Sequence, residues 1–170
     1  MGRIVSPHQE RRAGRIIFAF QPAEEAVGGA FAMIADGVLD DPTPDVALAM
    51  HLWTPEPYGN VRLLEGPIMS SSSVFTLTVQ GQGGHGAAPH LSVDPVLAAA
   101  QIVSALQSIV SRNVNPQDSV VVSIGQFNAG TTFNVIPDKA VLKGTVRSYD
   151  NDLHRMIYRR ILEMATRMAE

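Results

Sequence analysis

The stretch Val74-Phe75-Thr76-Leu77-Thr78-Val79-Gln80, with the glycine-rich loop Gly81-Gln82-Gly83-Gly84-His85-Gly86 after it, decides how the larger part of this chain folds. Apolar and polar residues alternate in it, which is typical of a β-strand with one face in the core. Asp94 and Pro95 then start a helix, because they supply an N-cap acceptor and a proline at the first helical position. We expect this helix to extend to about Arg112 and to bury one apolar stripe, formed by Val96, Ala99, Val103, Leu106 and Val110.

Two more strands and a second helix follow this first helix. The apolar patterns predict strands over 120–127 and 140–149 and a helix from about residue 152. The order β-α-β-β-α is that of a ferredoxin-like unit, β-α-β-β-α-β, without its last strand. We therefore expect an α+β domain that is incomplete at its C-terminal end.

The residues before this domain have a different pattern. Continuous apolar runs over 15–20 and 46–50 are typical of strands buried on both faces of a parallel sheet. A short helix at about 30–34 lies between them, so the segment is predicted to be a βαβ unit. The four serines at 70–73 are typical of a linker. These features predict an α/β domain over 1–69 and an α+β domain over 70–170.

Composition limits the kinds of function. The net charge of −3 gives no electrostatic basis for a nucleic-acid partner, and no apolar run is long enough to span a membrane. The chain has no cysteine, which excludes disulfides, thiolate metal ligands and a cysteine nucleophile. A cytoplasmic location is the default expectation.

Carboxylates and a histidine follow the two predicted buried strands. Glu24 and Glu25 come after the first strand, and His51 comes after the second. Catalytic groups collect at strand ends in open α/β sheets. A metal ligand beside a carboxylate that can accept a proton is a hydrolase arrangement, but a hydrolytic zinc usually takes three protein ligands. The residues indicate part of an active site. The alternatives are a solvated acidic loop and a histidine that hydrogen-bonds to the backbone.

Five motifs in order resemble the aminoacylase, hippurate hydrolase and auxin-conjugate amidohydrolase family of dinuclear metallopeptidases. They are Phe20-Gln21-Pro22-Ala23-Glu24-Glu25, Met50-His51-Leu52, Gly83-Gly84-His85-Gly86-Ala87-Ala88-Pro89-His90, Asn134-Val135-Ile136-Pro137-Asp138 and Gly144-Thr145-Val146-Arg147. The family also has an upstream His-x-Cys-Gly-His-Asp segment and a later ligand histidine, which are absent here. The resemblance implies the middle of such an enzyme, with part of a zinc-peptidase-like catalytic domain (1–69) and most of a lid and dimerisation domain (70–170).

The resemblance also implies a role for each motif residue. Glu24 matches the general base, and Glu25 and His51 match ligands of a centre that holds two divalent ions, zinc or manganese, when complete. His85 matches a residue that reaches the partner's site and stabilises the oxyanion. Asn134 and Arg147 match residues that hold the carbonyl oxygen or carboxylate of the substrate. His85 in a mobile hairpin, Asn134 as a turn residue and Arg147 as an exposed sheet residue are the structural alternatives.

The implied reaction is hydrolysis of the amide in N-acyl amino acids or related small conjugates, by attack of a metal-bridging water. With only two ligands, we expect the chain alone to be inactive. A second hypothesis is an association module that forms a homodimer through the lid, by the strand at 120–127 and the helix from Asp94 to Arg112. A third is a module that binds carboxylates through Arg147 without catalysis.

Overall fold

The computed structural model describes residues 14–24 and 28–170. Contacts between residues divide the chain into a first unit that ends at Gly59 and a second unit, Asn60–Glu170. None of the described helices is long and apolar enough to cross a lipid bilayer.

The described part of the first unit contains one helix, α1 (Gly29–Ala35), and no strand. The strands expected at 15–20 and 46–50 are therefore not formed. The apolar side chains of these segments are exposed, with Phe20 at 86% and Leu48 at 87%. A buried parallel strand needs hydrogen-bonded neighbours and covering helices, and the described residues supply neither.

The second unit contains the three strands and two helices that the sequence predicts, with slightly different bounds, and two short strands, Gly84–His85 and Val135–Ile136, that it does not predict. They are β1 (Ser71–Gln80), β2 (Gly84–His85), α2 (Pro95–Ser108), β3 (Val120–Ala129), β4 (Val135–Ile136), β5 (Lys139–Ser148) and α3 (Asn151–Ala169). A 3₁₀ turn lies at Pro89–Leu91, and α2 continues into a π-helical turn, Ile109–Asn113. The N-cap prediction is confirmed, since Asp94 Oδ1 accepts the backbone N–H groups of Val96 and Leu97.

The three long strands form an antiparallel sheet in the order β1-β5-β3. Alternate residues of the central strand β5 are buried beneath α2 and α3, and the others, on the opposite face, are exposed or half-buried. The predicted α+β arrangement, with both helices on one face of the sheet, is confirmed. β2 and β4 pair separately in a short antiparallel ladder.

The core lies between the sheet and the two helices. Its buried apolar residues include Phe75, Val79, Ile102, Leu106, Ile109, Leu142, Val146, Ile157 and Ile161. On α2 the buried stripe contains Ile102 and Ile109, whereas the predicted Val103 and Val110 are only half-buried and Val96 is exposed. The reason is that the sheet and α3 both contact α2, which turns its buried face by one residue relative to the prediction.

Glycine is required at position 144, in the middle of the central strand. A Cβ on Gly144 would lie 2.4 Å from Phe75 Cζ and 2.5 Å from the carbonyl oxygen of Ser123. The missing side chain lets the aromatic ring pack directly on the backbone of β5. Gly125, at the irregularity of β3, has no atom within 4 Å of the equivalent point.

The serine run is part of β1 and is not a linker. Ser71, Ser72 and Ser73 pair with Ser148, Arg147 and Val146 of β5. Ser73 Oγ hydrogen-bonds to His154 Nε2 at 2.9 Å, and the ring of His154 stacks on Tyr158. His154 is half-buried there. Pairing with β5 overrides the turn propensity of serine, as tertiary context often does.

Candidate active-site residues

In the first unit the structure brings Glu24 and His51 together. Gly29 begins α1 against the preceding loop, and a Cβ there would lie 1.8 Å from the carbonyl oxygen of Pro22. Ala23 has a left-handed backbone with φ of 49°. This conformation is uncommon outside glycine and is often found at functional sites. The next residue, Glu24, places its Oε1 3.9 Å from His51 Nε2.

The hydrogen bond of His51 decides which of its ring nitrogens can bind a metal. Nδ1 contacts the backbone carbonyl of Leu52, so Nδ1 carries a proton, and in the neutral ring Nε2 has the lone pair. A metal-binding histidine usually donates its other N–H in this way. The Trp53 ring meets the imidazole edge-on, with centroids 6.2 Å apart. His51 therefore has the form that a metal ligand needs.

The predicted ligand Glu25 lies outside the described residues. Across 14–24 and 28–170 no group of three or more histidine, aspartate and glutamate side chains is close enough to hold a metal ion. Within that part of the chain, the first unit offers one imidazole with one carboxylate beside it. This donor set fits part of a metal centre.

In the second unit the structure brings His85 and Asn134 together. His85 is opposite Val135 in the β2–β4 ladder, and Gly86 N–H donates to the carbonyl oxygen of Asn134 at 2.8 Å. The backbones of His85 and Asn134 are therefore neighbours at one end of this ladder, although α2 and β3 separate the two residues in sequence. Both residues are exposed. The sequence predicted a function for each of them and gave no sign that they are adjacent.

Local hydrogen bonds occupy an acceptor atom of each side chain. Ala87 N–H donates to His85 Nδ1 at 3.1 Å, so the neutral ring carries its proton on Nε2. Thr132 Oγ1 donates to Asn134 Oδ1 at 3.2 Å, which leaves the Asn134 amide nitrogen as a free donor. The two side chains thus each keep an N–H donor that can bind an oxygen atom carrying negative charge.

Asp138 ties the glycine-rich loop to the turn before β5. Its Oδ1 accepts Gly83 N–H at 2.9 Å, and its backbone carbonyl accepts Gly81 N–H at 2.8 Å. Gln80 Nε2 donates to the same carbonyl at 2.9 Å. A Cβ on Gly83 would lie 2.8 Å from the carbonyl oxygen of Ile136, so only glycine permits this approach. Asp138 therefore holds the loop that carries His85.

Arg147 lies in the three-stranded sheet, at the end of β5 far from the ladder. Lys139 begins β5 beside the ladder, and Arg147 is eight residues along the strand, which is about 27 Å at the usual rise per residue. Arg147 is exposed on the face of β5 away from the helices. Within one chain, the structure does not bring Arg147 near His85 or Asn134.

The sequence patterns did not indicate the residues that orient these side chains. Thr132 donates a hydrogen bond to Asn134, and the Ala87 N–H donates one to His85; in each case the partners are two residues apart in sequence. A threonine two positions before an asparagine is a weak local signal, because both residues often hydrogen-bond within turns. Asp138 belongs to a quoted motif, but its partner Gly83 is distant in sequence and could not be inferred.

Comparison with known proteins places the chain in a family. The family model described as the peptidase dimerisation domain, M20_dimer, matches residues 70–169. Hippurate hydrolase of Campylobacter jejuni is 44% identical over 160 residues, which cover 92% of this chain and 41% of that protein. The Arabidopsis thaliana protein named IAA-amino acid hydrolase ILR1-like 4 is 36% identical over 167 residues, 98% of this chain and 38% of that protein.

A solved structure of the same family has a similar fold. The dinuclear metal binding peptidase from the M20 family of Bacillus subtilis superposes with a TM-score of 0.60 at 32% identity, over 88% of this chain and 36% of that one. The chain thus spans about two-fifths of the length of the relatives it matches. These relatives are hydrolases, and the resemblance seen in the five sequence motifs is confirmed. Since the family model matches more than half of its residues, the chain belongs to the M20 peptidase family and carries that family's dimerisation domain.

Proposed function

We propose that this chain forms part of a metal-dependent amidohydrolase that cleaves the amide bond of N-acyl amino acids or related small conjugates. The observation that carries the proposal is the pair of N–H donors at the β2–β4 ladder, formed by His85 and Asn134. The names of the relatives support the substrate class, because they include a hippurate hydrolase and an IAA-amino acid hydrolase.

His51 and Glu25 are the residues that would hold the metal. His51 fits this role because a backbone carbonyl engages Nδ1, which leaves Nε2 as the nitrogen that can bind a metal. When bound, a divalent ion such as zinc or manganese supplies an activated water and polarises the amide carbonyl. Since a hydrolytic zinc usually takes three protein ligands, we expect this chain alone to bind the ion weakly and to be inactive.

Glu24 would move the proton. Its carboxylate is more than half exposed, and its Oε1 lies 3.9 Å from His51 Nε2. It can accept a proton from the attacking water and deliver the proton to the leaving amine, as a general base and then a general acid. In this role Glu24 does not itself bind the metal.

The ladder would stabilise the charge that develops on the amide oxygen. His85 Nε2–H and the Asn134 amide are donors whose other polar atoms are already engaged. Donors fixed in this way can lower the barrier by about 3–4 kcal/mol. Arg147 would bind the carboxylate of the substrate, because its planar guanidinium can donate to both oxygens.

The separation of these residues favours a homodimer. A small substrate cannot reach the ladder and Arg147 of one chain across about 27 Å of strand, so it would use His85 and Asn134 of one protomer and Arg147 of its partner. β3 is an edge strand of the described sheet, and edge strands pair readily. Sedimentation velocity at tens of micromolar tests this part. A dimer is expected, and a monomer would contradict it.

Titration calorimetry with Mn²⁺ tests the assignment of metal ligand and base. We expect His51→Ala to weaken binding by at least about tenfold, as loss of one ligand should. Glu24→Gln is the matched control and should leave the affinity nearly unchanged, since a base is not a ligand. An equal loss in both variants would make Glu24 a ligand, and binding that neither variant changes would remove the metal site from this region.

A further inference from the structure

The exposed face of β5 carries a row of three cations. Lys139, Lys143 and Arg147 are all exposed and lie on the side of the strand away from the helices. The strands β1, β3 and β5 contain no acidic residue. Within the described residues, no carboxylate forms an ion pair with any of the three. The chain as a whole has a net charge of −3, so this positive face is a local feature.

The neighbours of Lys143 on the adjacent strands are polar, whereas Arg147 lies between Ser72 and the exposed Val121. Lys143 is flanked by Thr76 and Gln126 on the neighbouring strands, and Thr145 lies on the same face between the two cations. Four residues of strand separate the two Cα atoms by about 13 Å. Both side chains are long and flexible, so their charged ends can approach two carboxylates of one small ligand.

We propose that Lys143 and Arg147 together form a dianion subsite, so that the chain prefers N-acyl amino acids with a second carboxylate over those with one. This inference rests on the proposed function, in which Arg147 binds the α-carboxylate. Lys143 supplies the specificity, because its ammonium group contacts the second carboxylate. The hydroxyl and amide groups around Lys143 form hydrogen bonds with the ligand. Lys139 lies farther along the strand, beside the open groove next to the ladder, and is outside the subsite.

Binding of N-acetylglutamate and N-acetylglutamine to the chain tests the proposal. The two ligands have nearly the same shape and differ by one negative charge. Backbone amide shifts of Thr145 and Arg147 would report the affinities. We expect N-acetylglutamate to bind about three- to fivefold more tightly, as an exposed ion pair allows. The preference should shrink as salt is added.

Three variants identify the residues responsible. Lys143→Gln should remove the preference and leave the affinity for N-acetylglutamine unchanged, whereas Lys143→Arg should keep it. Arg159→Gln is the matched control, because Arg159 is an exposed cation on α3 that pairs only loosely with Glu163 at 3.9 Å; it should change neither affinity. Arg147→Gln should weaken both ligands.

The outcomes distinguish the dianion subsite from the carboxylate role of Arg147. If Arg147→Gln weakens both ligands and Lys143→Gln changes neither, the dianion subsite is wrong and the carboxylate role of Arg147 stands. If neither variant changes either affinity, or if no saturable binding occurs, the carboxylate site in the proposed function is also wrong. An equal loss of both ligands in Lys143→Gln would make Lys143 a general anion contact and overturn the preference.

Discussion

Replacing Gly144 by alanine should destabilise the second unit. The added methyl group would lie 2.4 Å from Phe75 Cζ and 2.5 Å from the carbonyl oxygen of Ser123, where ordinary contacts begin near 3.4 Å. The aromatic ring can turn away, but the carbonyl belongs to the backbone of β3 and can move only with the strand. The sheet must therefore yield by about 1 Å at its centre.

The magnitude follows from two opposing effects. Overpacking of a core by one methyl group costs about 1–3 kcal/mol, and a clash with backbone belongs in the upper half of that range. Alanine also lowers the entropy of the unfolded chain, which returns about 0.4–1 kcal/mol. We expect a net loss of about 2 kcal/mol in the free energy of unfolding.

Urea unfolding, followed by far-UV circular dichroism, measures this loss. The signal reports the second unit, because α2 and α3 account for most of the helix in the described chain. With an m-value of about 2 kcal/mol/M, the midpoint for Gly144→Ala should fall by about 1 M. Gly125→Ala is the matched control in the neighbouring strand, and its midpoint should stay close to that of the unmodified protein because no atom lies near the added methyl.

A double variant identifies the source of the strain. Phe75→Leu shortens the side chain that meets the new methyl group, so Phe75→Leu with Gly144→Ala should lose less stability than the two single losses added together. Equal midpoints for Gly144→Ala and Gly125→Ala would refute the reasoning. So would strict additivity in the double variant, since it would show that the ring and the methyl group do not meet.

Other contacts make shorter predictions. Asp94→Ala removes the acceptor at the start of α2 and should cost about 1 kcal/mol by thermal unfolding, while Asp94→Asn should keep most of the stability. Asp138→Ala should speed hydrogen exchange of the Gly83 amide by about fivefold, because that N–H loses its acceptor; unchanged exchange would show that the loop is held by other bonds. Tyr158→Phe removes the hydroxyl that donates to the carbonyl of Val74 and should cost about 1 kcal/mol in urea unfolding. An unchanged midpoint would mean that this bond contributes nothing net.

The second unit could be predicted from sequence because its signals are local. Strand alternation, the Asp94-Pro95 helix start and the apolar stripe of α3 each act within one element, and each is found in the structure. The exact face of α2 could not be predicted, because it depends on the sheet and α3 together. The serine run was misread for the same reason, since its structure comes from pairing with β5.

The sequence indicated which residues could form the candidate site, but only part of their arrangement in space. Motif residues such as Glu24 and His51 can be recognised in sequence, and the structure places Glu24 Oε1 3.9 Å from His51 Nε2. The adjacency of His85 and Asn134 arises from a ladder between distant segments, and nothing local encodes it. The strands expected in the first unit failed because a continuous apolar run indicates burial, and burial requires partners outside the run.

The brevity of the β2–β4 ladder has a consequence for kinetics. Two residues from each strand and a few flanking hydrogen bonds hold it together, so its free energy of opening should be smaller than that of global unfolding. A ligand that contacts His85 and Asn134 at once binds only the paired form, and its binding energy is then linked to ladder closure. Association would then depend on a fluctuation of the protein. The measured on-rate would be the on-rate of the paired form multiplied by the fraction of time that the ladder is paired.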